Sequence, residues 1–78
     1  VDHVEAGKHW AKLHEVWKKA DDEAREAERR NAASFMACAQ KNGPGPAVHE
    51  LSDAGDLRAI ADRHKAEVNR FLAEYFAE

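Results

Sequence analysis

From Ala6 to Cys38 one pattern runs without a break. Ala6, Trp10, Leu13, Trp17, Ala20, Ala24, Ala27, Asn31, Ser34 and Cys38 follow one another at alternating steps of four and three residues. Such a seam keeps one face of an α-helix pointed at a neighbour over many turns. No glycine or proline interrupts residues 8–42, so nothing in the backbone chemistry stops the helix there. The spacing predicts a long first helix over about residues 3–41. Asp21-Asp22 could cap a new helix start, and a break there would give a three-helix bundle instead.

The stretch from Lys41 to Gly55 holds both prolines and every glycine except Gly7. Asn42 and Gly43 tolerate the left-handed backbone that ends helices. Pro44 and Pro46 then block continuation. Ser52 or Asp53 is the expected cap of the next helix, with Asp56 in its first turn. A Gly/Pro loop over 42–52 is therefore expected, with Val48 and Leu51 folded back as a plug.

A second helix is predicted over about residues 53–77. Leu57, Ile60, Ala61, Val68, Phe71, Leu72, Tyr75 and Phe76 recur at helical spacing. Arg58–Asp62, Arg63–Glu67 and Arg70–Glu74 stand four apart on the polar side, a spacing suited to ion pairs. The fold class is all-α. A short loop makes the two helices an antiparallel hairpin, a single helical domain over residues 1–78.

Placing large residues against small ones sets Cys38 against Leu57, Phe35 against Ile60, Ala27 against Val68 and Ala20 against Tyr75. In that register Trp17 faces the last residue of the chain. About a dozen residues of helix one then overhang, roughly 20 Å at the α-helical rise. Trp10, Leu13 and Trp17 would form a bare apolar stripe. Near the loop, Phe35 and Met36 widen the apolar arc and ask for another neighbour. Two hairpins pairing into a four-helix bundle homodimer would cover both. Docking to a different protein, or folding residues 3–19 back as a third helix, are the alternatives. The same register sets Asn31 against His64, two polar residues on apolar seams. This is a candidate hydrogen-bonded core pair that fixes the alignment of the helices.

Composition narrows the function. The net charge is −3, with 35% charged residues of both signs. Residues 1–42 carry eight basic and eight acidic side chains. Nucleic-acid binding, which wants an uncompensated basic stripe, is the weaker reading. The lone cysteine, Cys38, excludes an internal disulfide and cysteine-rich zinc frameworks, and suits a reducing cytoplasm. No run is long enough for a membrane span.

The five histidines show no helical ligand spacing for zinc or di-iron sites, so no metal or cofactor is expected. Val1-Asp2-His3 has the form of an amino-terminal copper or nickel chelate, a feature any free terminus with histidine third would share. Cys38 and Ser34 lie on the seam with no evident base or oxyanion donor, so no catalytic residue is identified. The expected function is a non-enzymatic protein–protein interaction module, a small regulator, adaptor or assembly factor. Its expected contact residues are Trp10, Leu13, Trp17, Phe35 and Met36. A helical bundle holding a metal or small ligand near His9, His14 or His64 is the alternative, followed by a nucleic-acid-binding regulator.

Overall fold

The computed structural model describes residues 3–40 and 43–77. They form two helices, α1 (His3–Ala39, 37 residues) and α2 (Val48–Tyr75, 28 residues), packed as an antiparallel hairpin. The molecule is a rod, 58 × 17 × 16 Å. Residues 1, 2, 41, 42 and 78 lie outside the description, and with them the amino-terminal chelate and the Asn42 stop signal.

α1 passes straight through Asp21-Asp22, so the break that would make a third helix does not occur. The Asp21 carboxylate is not a helix cap. It accepts hydrogen bonds from Arg25, one turn on, and from Arg58 of α2. With its acceptor capacity used in that way, it gives the backbone no reason to leave the helix.

α2 begins at Val48, about four residues before the expected cap, and the loop is correspondingly shorter than 42–52. Pro46 forces the residue before it out of the helical region. Gly45 takes φ +79°, which costs glycine nothing. Ala47 is extended, at φ −73° and ψ 156°, and its carbonyl already accepts from Glu50 and Leu51. The Glu50 carboxylate reaches back to the Ala47 N–H at 3.4 Å. This is half of a capping box whose N-cap residue has no side-chain acceptor. That missing acceptor is why Ser52 and Asp53, which have one, looked like the better start.

The register differs from the expected one. Asn31 meets the Glu50 carbonyl, His9 meets Phe71, and His3 meets Tyr75. Relative to the pairing of Cys38 with Leu57, α2 has slid along α1 by about two heptads. A heptad seam looks the same after each such slide, so large-against-small matching had no unique solution. The consequence is direct. The carboxyl end of α2 lies along the amino end of α1, and the expected overhang of Trp10, Leu13 and Trp17 does not exist. The uncovered length of α1 is at the loop end, where Pro44, Gly45 and Pro46 run back beside Phe35 and Cys38. A Cβ on Gly45 would sit 3.2 Å from the Cys38 Cβ, so the close return of the loop also requires glycine.

The seam itself is as expected over most of its length. Ala6, Ala24 and Ala27 on α1, and Ala54, Ala61 and Val68 on α2, are the buried apolar residues. Trp10, Leu13, Trp17, Leu57, His64, Phe71 and Tyr75 are half-buried along the same line. Cys38 is exposed, because no helix lies opposite that turn. No large side chain is fully buried among the described residues. The interior is alanine apart from Val68, with little apolar area removed from water per residue.

Candidate interaction surface

The most ordered polar feature lies mid-rod. The Arg58 guanidinium donates two hydrogen bonds to Glu28, at 3.0 and 2.8 Å, and a third to Asp21 at 2.8 Å. Arg25 donates to the other Asp21 oxygen at 2.6 Å. Asp21 is the one buried charged residue among those described, 5% exposed. The Arg58 hydrogen bond, helped by Arg25, outweighs burial and holds the Asp21 carboxyl below its ordinary range. The same guanidinium lowers Glu28. In return the two carboxylates raise Arg58 further, Glu28 first. A planar fork spanning two carboxylates fits only one alignment of the helices. This cluster is the register lock, and Arg58 reaches across the hairpin rather than along α2 to Asp62. Among the described residues the expected Arg63–Glu67 and Arg70–Glu74 pairs do not form either.

Asn31 and His64, expected to hold each other, are separated by the change of register. The Asn31 amide donates to the Glu50 carbonyl at 3.1 Å. His64 Nδ1 lies 3.9 Å from Glu67 on its own helix.

The amino end of α1 and the carboxyl end of α2 form an aromatic cluster. His14 stands between Trp10 and Trp17, with ring centroids 4.8 and 5.3 Å away. His9 packs on Phe71 at 4.8 Å, and His3 bonds the Tyr75 hydroxyl. Trp10 lines a groove with Gly7, Phe71, Leu72, Tyr75 and Phe76. Its Nε1 is buried with no acceptor in reach, an unsatisfied donor of the kind that costs stability. Trp10, Leu13 and Trp17 are thus partly spent on the hairpin itself. Phe35 and Met36 remain exposed, at 63% and 56%.

Exposed large apolar side chains are unevenly distributed around the rod. Gly7, His14, Asp21, Glu28 and Phe35 recur every seven residues on α1. Leu51, Arg58, Lys65 and Leu72 do so on α2. The Arg58 contacts set these two lines side by side, and Val4, Val48 and Phe76 fall beside them at the next heptad position. Six of the nine exposed large hydrophobics therefore lie on one flank: Val4, Phe35, Val48, Leu51, Leu72 and Phe76. They gather at its two ends. At the loop end Ala32, Phe35 and Leu51 line one groove with Pro44 and Pro46. At the open end Leu72 and Phe76 line the other. The lock occupies the middle. The opposite flank is polar, with grooves lined by Arg30, Glu50, Asp53 and Asp56, or by Asp22, Glu23, Glu26 and Arg30. Only Val16 and Ile60 interrupt it.

Reading the sequence helix by helix missed this flank, because neither helix alone shows it. The signal was the heptad line that carries Phe35 on α1 and Leu51 and Leu72 on α2, which becomes one face once Arg58 is joined to Asp21 and Glu28.

Among the described residues no three His, Cys, Asp or Glu side chains converge on a point where a metal could sit, and no helix is long and apolar enough to cross a membrane. Comparison with protein-family models, with curated proteins and with solved structures finds no match to this chain.

Proposed function

We propose that this chain is a non-enzymatic protein–protein interaction module that works as a small regulator, adaptor or assembly factor. The observation carrying this reading is the imbalance between interior and surface. Among the described residues nothing larger than valine is buried, while phenylalanine, leucine and valine side chains stand exposed along one flank. A two-helix hairpin with an alanine interior gains little from folding alone. An apolar flank bordered by charge is the usual mark of a surface that another helix covers. The partner proposed first is a second copy, giving a four-helix bundle, and the free thiol fits a reducing compartment such as the cytoplasm.

Thermal unfolding followed by circular dichroism over a hundredfold range of concentration tests the reading. A hairpin that needs covering melts broadly and at low temperature when dilute. If the partner is itself, its midpoint rises with concentration. A sharp, concentration-independent transition of a stable monomer would mean that the hairpin is complete alone, and the proposal would fail.

A further inference from the structure

We infer that the apolar flank is a self-pairing face on which two copies stack with their loops at the same end, α1 of each lying over α2 of the other. This rests on the interaction-module reading and specifies its partner and geometry. Two stackings would bury both apolar ends. In one, the two-fold axis runs along the rod and the loops share an end. In the other, the axis crosses the rod and the loops lie at opposite ends. Both keep neighbouring helices antiparallel.

Charge decides between them. With loops together, each α1 residue meets, on the other copy, the α2 residue that is already level with it in its own hairpin. Asp21 then lies level with the other copy's Arg58, and Lys18, which bonds Asp22 on its own helix at 2.9 Å, lies over its Asp62. Among the described residues Asp62 makes no ion pair within the hairpin. At the ends, Gly7 receives Leu72 and Ala32 receives Val48, small against large. With loops opposed, α1 lies over α1 and α2 over α2. Asp21 then meets Asp21, Arg58 meets Arg58, and Lys18 meets Arg25. Juxtaposed like charges at an interface are strongly unfavourable, and more so as water leaves. The size of the flank is adequate. Its length and width, 58 by 17 Å, span about 1,000 Å², against about 800 Å² per partner in a typical stable complex.

Spin-label distances on a single displaced cysteine read the geometry. Cys38→Ser with Gln40→Cys moves the only thiol to an exposed site beyond the end of α1. Gln40 is nineteen residues from the Asp21 level. Opposed loops would set the two labels about 55 Å apart at 1.5 Å per residue, while shared-end stacking keeps them within about 30 Å, the width of a four-helix bundle. The expected result is a dimer by sedimentation with the short distance, converted to monomer by Leu51→Glu with Phe76→Glu. Both substituted residues are more than half exposed, so the lone hairpin accommodates the change. A dimer with the long distance would overturn the inference, as would a dimer indifferent to the double substitution. A monomer at every concentration would overturn it too. If that monomer melts broadly, the interaction reading survives with another partner; if it melts sharply, both fall.

Discussion

A single guanidinium determines how the two helices align. Arg58 binds Glu28 with two donors and Asp21 with a third, and no lysine can hold both carboxylates in one plane. Arg58→Lys should therefore lower the melting midpoint nearly as much as Arg58→Ala, and a double-mutant cycle with Glu28→Gln should show coupling. Acid should act through the same cluster. The Asp21 carboxyl titrates lower in the folded chain than in the unfolded one. Its contribution is therefore complete above the unfolded value, near pH 4, and disappears as pH falls through the lower folded value. Melting midpoints should drop on acidification below about pH 4, and Asp21→Asn should flatten that limb while lowering stability at neutral pH. Trp10 offers the opposite case. Its indole N–H is buried without an acceptor, so Trp10→Phe, which keeps a smaller aromatic ring and removes the donor, should cost less than about 1 kcal/mol. Chemical denaturation would measure it.

At the level of the elements, alanine at the seam and glycine in the loop carry the geometry. Ala24 and Ala61 are fully inaccessible. A leucine at either would push the helices apart, and each change should cost about 1–3 kcal/mol in urea unfolding. Gly45→Ala combines a left-handed φ with a close approach to Cys38, and about 1–2 kcal/mol is expected from the backbone alone. The two helices and nearly all of the seam were legible from the alternation of three and four. The start of α2 was not, because the Ala47 cap works through its backbone and the Glu50 side chain. The register was not either, since a pattern that repeats every seven residues matches itself after each slide. Only the requirement that Arg58 find carboxylates removes that degeneracy, and it joins residues about thirty or more positions apart. The residues expected to bind a partner divide accordingly. Trp10, Leu13 and Trp17 turn partly inward once α2 reaches them, while Phe35 and Met36 stay outside.

The whole molecule is a rod with one polar flank and one flank apolar at both ends. The heptad lines put the apolar side chains on one flank, and the alignment of the helices sets where along the rod they gather. In the register that sets Cys38 against Leu57, Phe71 would lie beside Ala24, Trp10 would be uncovered, and Arg58 would sit beside Ala37, away from any acid of α1. In the structure the rings of His9 and Phe71 are 4.8 Å apart. Nuclear Overhauser contacts of the Phe71 ring, in a selectively labelled sample, separate the two alignments directly. Cross-peaks from Phe71 to His9 and Trp10 are the result expected here. Cross-peaks from Phe71 to the Ala24 methyl, with none to His9, would contradict the register and with it the Arg58 lock.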